Sequence, residues 1–184
     1  MTTTIAIYGG SFNPPHICHL KTLRYLLATK SCNEVWLLPT FQHAFGKNLA
    51  PFEMRLNWCS VLIEPFGAQV SVCTIEKQMG GESRTIDTMT QLEKDYPTHE
   101  FILVLGSDIR EETQKWKAFD EIKKRYPIIW IGRKGKGEEH EDGLVLPDVS
   151  STDIRRLLAQ GKDVGEDVPE KVFEAIKRSG WKWQ

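Results

Sequence analysis

A regular alternation of short apolar, β-branched runs with longer stretches of helical periodicity constrains this chain more than any other feature. Turn residues bound such runs at Thr4 to Tyr8, Glu34 to Leu38, Gln69 to Ile75, Glu100 to Leu105 and Pro127 to Ile131, with a shorter one at Gly143 to Leu146. Between them, His19 to Lys30 repeats Leu20, Leu23, Leu26 and Leu27, and Pro51 to Ile63 begins with a proline suited to a helix start. Thr85 to Tyr96 and Ala118 to Tyr126 supply two more helical patterns. Strands that alternate with helices of this length pair in parallel through right-handed crossovers, with both sheet faces covered. The expectation is an α/β, doubly wound parallel sheet forming one domain over residues 1–184. After the last strand the alternation stops: Thr152 to Gln160 and Pro169 to Ser179 read as consecutive helices, an appended cap. Gly132 to Gly143 lacks apolar periodicity and reads as a mobile surface loop.

Composition narrows the function classes. The 184 residues carry 24 Lys and Arg against 25 Asp and Glu, without the basic excess of a duplex-binding surface. The longest apolar runs fall far short of the ~20 residues that cross a bilayer. The opening MTTTIAIYGG lacks the pattern of a secretory signal, so a cytoplasmic location is expected. Four cysteines, Cys18, Cys32, Cys59 and Cys73, form no CxxC pair and sit in core-like segments, which predicts reduced thiols. Small polyanions remain as ligands.

In an open parallel sheet, ligands sit beyond the carboxyl ends of the strands. After the first strand comes GGSFNPPHICHL. Gly9 and Gly10 permit close backbone approach, Asn13, Pro14 and Pro15 set a turn, and His16 and His19 open a helix on one side of it. A helix N-terminus attracts anions, and two imidazoles there add donors aimed at the same phosphate. Taken singly, these residues are ordinary turn and cap residues. A metal site of His16, Cys18 and His19 finds no fourth ligand at a recognisable spacing. Neither G-x-G-x-x-G nor a Walker A sequence is present. Near the other end, DVSSTDIRRLL places Ser150 and Asp153 at capping-box spacing, with Arg155 and Arg156 in or near the first turn of a helix. Positive charge there opposes the macrodipole unless a polyanion is bound, and arginine suits forked phosphate contacts.

Together, GGSFNPPHICH and the later SSTDIR resemble the paired motifs of the nucleotidyltransferase superfamily. PFEMRL, SRTIDTM, GSD, Trp116 and VPEKVFEAIKRSG extend the resemblance to its nicotinate/nicotinamide mononucleotide adenylyltransferase branch over nearly the whole chain. The chain departs from that pattern at Cys18, where glycine is usual and where a Cβ and sulfur could crowd the nucleotide. It departs also at Val149 for isoleucine, at Arg84 for the tyrosine common in the nicotinate-specific branch, and at the Trp181 and Trp183 tail, read as a hydrophobic plug.

The resemblance implies joining of ATP and a pyridine mononucleotide into a dinucleotide and pyrophosphate, with Mg²⁺ accompanying the ATP and no resident metal site. It implies His16, His19 and Arg155 as catalytic, with Gly9, Gly10, Ser11 and Phe12 giving backbone approach to the nucleotide. Ser151, Thr152 and Arg155 would hold the β and γ phosphates, and Asp108 a ribose. Lys47 is either a clamp on the triphosphate or a solvated loop lysine. Thr85 and Trp116 would surround the pyridine ring, and both Arg84 and Arg133 are candidates for the acceptor's phosphate or carboxylate. Transfer to another phosphorylated acceptor such as phosphopantetheine, use of CTP, and a non-catalytic nucleotide-binding module are the alternatives.

Overall fold

The computed structural model describes residues 2–44, 46, 48–134 and 144–183. Its sheet has six parallel strands: β1 (Thr3–Gly10), β2 (Glu34–Pro39), β3 (Val70–Val72), β4 (His99–Gly106), β5 (Ile128–Arg133) and β6 (Val145–Leu146), in the order β3-β2-β1-β4-β5-β6. The order reverses between β1 and β4, the point where a doubly wound sheet opens a crevice at its carboxyl edge.

The strands read as unbroken apolar runs because both of their faces are buried. On β1, Ala6 points to one core while Ile5 and Ile7 point to the other; on β4, Val104 joins the first and Phe101, Leu103 and Leu105 the second. The first core takes its helical side from α1 (Ile17–Ala28), α2 (Phe52–Ile63), α7 (Ser151–Ala159) and α8 (Glu170–Ser179). The second is closed by α3 (Ile75–Met79), α4 (Thr85–Asp95) and α6 (Phe119–Arg125), with the short α5 (Arg110–Thr113) after β4.

Two expectations change. The third strand is shorter than Gln69 to Ile75: it ends at Val72, and Ile75 opens α3. The chain turns there so that Ile75 enters the core and the Glu76 carboxylate reaches Phe41 and Thr88. The last two helices are no appended cap either, because Ile154, Val172, Ala175 and Ile176 complete the first core, with α8 packed against α2. The predicted loop at Gly132 to Gly143 lies, beyond Lys134, outside the described residues.

Candidate active site

A cleft of about 1350 Å³ lies over the carboxyl edge of β1, β2 and β4, where the helices of the two faces meet. That exceeds the roughly 300–1,000 Å³ of a pocket for one small molecule. Its lining includes Gly9, Gly10, Ser11, Phe12, His16, His19, Thr85, Arg84, Asp108, Trp116, Ser151, Thr152 and Arg155, segments far apart in sequence.

The loop after β1 is built around a buried aromatic. Phe12 adopts φ 43° and is 1% exposed, with its ring folded back under the strand end. A Cβ on Gly10 would lie 3.1 Å from Cζ of that ring, so a side chain there requires the buried ring to give way by a few tenths of an ångström. A Cβ on Gly9 would meet nothing within 4 Å. Phe12 thus faces the core and supplies the cleft with backbone. The Phe12 and His19 rings lie 4.8 Å apart, and the His16 and His19 rings 3.9 Å, which sets the imidazoles side by side at the start of α1. The His16 backbone N–H donates to His19 Nδ1 at 3.0 Å. Nδ1 is therefore the acceptor, and in the neutral ring the proton resides on Nε2, a donor.

Long-range hydrogen bonds join this loop to α7. Ser150 caps α7 by accepting the Asp153 N–H at 3.1 Å, as its spacing predicts. Ser151 Oγ donates to the Pro14 carbonyl at 2.9 Å, and Arg155 Nη1 donates to the Asn13 carbonyl at 2.9 Å. Arg155 is the fifth residue of the helix, just past its first turn, and its side chain reaches back to the loop. Nη2 contacts Thr152 Oγ1 at 3.3 Å, and no carboxylate pairs with this guanidinium among the described residues. Burial holds its pKa below the usual arginine value, yet the group stays charged. A half-buried cation whose partners are a carbonyl and a hydroxyl is suited to an anion. Arg156 points away and pairs with Asp153 at 2.9 Å. Cys18 does not crowd the cleft: it is 1% exposed, belongs to the first core, and its thiol contacts the Pro147 carbonyl at 3.6 Å.

On the opposite wall, Asp108 follows β4, and a Cβ on Gly106 would fall 2.3 Å from its Oδ1. Thr85 is the first residue of α4, with Arg84 at its N-cap. The Arg84 guanidinium pairs with Glu82 at 2.7 Å. Trp116 is half-buried and packs edge-on against Phe119 at 6.0 Å. Lys47 and the side chain of Arg133 lie outside the described residues.

Residues that sequence reading missed support both walls. Arg55, 1% exposed, donates from Nε to the Ala50 carbonyl and from Nη1 to the Ser11 carbonyl, each at 2.9 Å. One signal pointed to it: Arg55, Trp58, Cys59 and Leu62 fall at i, i+3, i+4 and i+7, which places an arginine on the buried stripe of α2. Asn13, also 1% exposed, accepts the Ala50 N–H at 3.0 Å. The tail is more than a plug, because Trp181 and Trp183 line the cleft, Trp183 resting 5.8 Å from Trp58.

Residues 7–157 match the sequence model of the cytidylyltransferase-like family. A protein of Anaeromyxobacter sp. (strain K) named "Probable nicotinate-nucleotide adenylyltransferase" is 42% identical over 179 residues, covering 96% of this chain and 95% of its own. One of Myxococcus xanthus with the same name is 37% identical, covering 96% and 93%. Among solved structures, Plasmodium falciparum nicotinic acid mononucleotide adenylyltransferase complexed with NaAD superposes with a TM-score of 0.83 at 18% identity, over 97% of this chain and 96% of that one. At that identity the likeness concerns the fold, and the family rests on the sequence relatives. The chain belongs to the cytidylyltransferase-like family and, within it, to the nicotinate-nucleotide adenylyltransferases.

Proposed function

We propose that this enzyme transfers the adenylyl group of ATP to nicotinate mononucleotide, and that residues 1–184 act as one domain around this cleft. The observation that carries this reading is the half-buried Arg155, without a carboxylate partner among the described residues and tied to the same loop that presents His16 and His19. A phosphate oxygen of the mononucleotide attacks the α-phosphorus of ATP, a P–O bond forms, and the bond to the bridging oxygen of pyrophosphate breaks. The attacking phosphate is already ionised near neutral pH, so no general base is required. The protein aligns two polyanions and stabilises the charge gathered on the leaving pyrophosphate.

In this reading Arg155, Ser151 and Thr152 hold the β and γ phosphates, while His16 and His19 face the reacting phosphate, His19 as an Nε2–H donor. Gly9, open on its Cβ side, admits the nucleotide to the backbone, and Asp108 accepts from a ribose hydroxyl. Thr85 and Trp116 border the pyridine. Arg84 lines the cleft and would exchange its exposed contact with Glu82 to meet a carboxylate. Among the described residues no cluster of three His, Cys, Asp or Glu could cage a metal. Magnesium arriving with ATP would be held chiefly by phosphate oxygens and water. When bound, Mg²⁺ offsets the charge of the triphosphate.

The four free cysteines support a reducing, cytoplasmic site of action. No helix among the described residues is long and apolar enough to cross a membrane. The test is pyrophosphate release from Mg-ATP with nicotinate mononucleotide, nicotinamide mononucleotide or phosphopantetheine. Turnover is expected with nicotinate mononucleotide, and release only with phosphopantetheine would overturn the assignment.

A further inference from the structure

We infer that Glu76 is a positioning residue for the acceptor mononucleotide, acting through the Phe41 peptide and the Thr88 hydroxyl. The inference rests on the acceptor wall assigned above. Glu76 lines the cleft yet is 7% exposed. Its Oε2 accepts the Phe41 N–H at 3.0 Å, its Oε1 accepts the Thr88 hydroxyl at 3.1 Å, and the Ser83 hydroxyl donates to the same carboxylate. These donors come from three segments: the stretch after β2, the turn before α4, and α4 itself. A buried carboxylate is costly unless such bonds satisfy it, and an apolar residue would serve packing alone as well. Ile75, Ile86, Met89 and Leu92 already hold α3 and α4 to the sheet.

Arg55 completes the device from the other side. Its Nη2 lies 3.5 Å from the Phe41 carbonyl and its Nε 2.9 Å from the Ala50 carbonyl. The Phe41 peptide is therefore gripped at its N–H by a buried anion and at its C=O by a buried cation. Because Arg55 also holds Ala50, it joins the Phe41 end of this stretch to its Ala50 end, between which His43, Asn48 and Leu49 line the cleft. His43 bridges in parallel to Ser83, next to Arg84 and Thr85. Glu76 thus fixes the β2 segment against the start of α4, the wall assigned to the pyridine nucleotide. The Arg155 wall is reached through Asn13 and Pro14 and makes no direct contact with Glu76 among the described residues; it meets the Glu76 side through the Arg55–Ser11 and Asn13–Ala50 bonds.

The charged and titratable groups facing the carboxylate are Arg55 from α2 and Cys73 after β3, alongside the Ser83 and Thr88 hydroxyls; Lys77 on its own helix is turned to Glu53. Burial raises the Glu76 carboxyl above the usual range. Protonation therefore removes the anion at a higher pH than for an exposed glutamate, and acceptor binding weakens as pH falls through that range.

The test is steady-state kinetics with Mg-ATP and nicotinate mononucleotide, together with amide hydrogen exchange on the unliganded protein. Glu76→Ala is expected to raise the acceptor KM about tenfold and the ATP KM less than about threefold. It should also speed exchange of the Phe41, Gln42 and Ala50 amides. Glu76→Gln, which can still accept from Phe41, should recover most of the acceptor KM and lose the acid limb seen in the parent. Phosphate and imidazole titrations are common to both proteins and drop out of the difference. Equal rises in both KM values, coincident pH profiles, or unchanged exchange would overturn the inference. Should Glu76→Ala fail to fold, Thr88→Val deletes one donor while keeping its shape. It is expected to raise only the acceptor KM, about threefold; an unchanged value would overturn the inference. Exchange is read without substrate, so it tests the clamp even if the parent proves to use a different acceptor.

Discussion

Gly106→Ala separates a site effect from a folding effect. Gly106 has φ −74° and ψ 141°, a conformation any residue adopts, so alanine brings no backbone strain. The new methyl would lie 2.3 Å from Asp108 Oδ1 and meets no other group so closely. Contact distances near 3.5 Å require the carboxylate oxygen to retreat by about 1 Å. Asp108 is exposed, so the displaced carboxylate returns to water, and giving up its present contacts should cost no more than about 1.5 kcal/mol of stability. A hydrogen bond to a charged group contributes about 1.5–3 kcal/mol, and losing it lowers kcat/KM for ATP by roughly 10- to 150-fold. The assays are kcat/KM for ATP and a urea unfolding midpoint. Asp108→Ala should show a similar loss, and the double variant no more than that, since both changes remove one interaction. An unaffected kcat/KM in Gly106→Ala, or additive losses in the double variant, would refute the reasoning.

Other expected outcomes follow from the same geometry. Arg155→Lys keeps the charge but cannot span the Asn13 carbonyl and a phosphate at once; kcat/KM for ATP should fall by about 10- to 100-fold, measured as pyrophosphate release. Cys18→Gly restores the residue usual in the family, yet the thiol lies in the core and not in the cleft. Turnover should not rise, while urea unfolding shows a loss of about 1–2 kcal/mol from the vacated volume and the helical glycine. Burial pushes the thiol of Cys59 far up and raises those of Cys32 and Cys73. A thiol reagent at pH 8 should therefore react slowly with the native protein, faster with rising pH, and with all four cysteines once it is unfolded.

The alternation of strands and helices was legible because each parallel strand is buried on both sides and stands out as an apolar run between turns. Helix ends were legible where the chemistry is local: Ser150 caps through Asp153, and Gly180 ends α8 in the left-handed conformation at φ 65°. The end of β3 was not, because what turns the chain at Ile75 and Glu76 is a carboxylate satisfied by Phe41 and Thr88, at separations of 35 and 12 residues.

By itself the sequence determined the class of fold, the helix starts at His16 and Ser150 and, through contiguous motifs, the family. Those are properties of short segments, set by caps, turns and residue spacing. Tertiary structure alone decided that Cys18 faces the core and that Gly10 makes room for Phe12. It also decided that the tail tryptophans reach the cleft and that Arg55 and Glu76 hold one peptide between them. Each of these depends on which distant groups meet once the sheet is assembled, and buried polar atoms take the partners that packing brings to them.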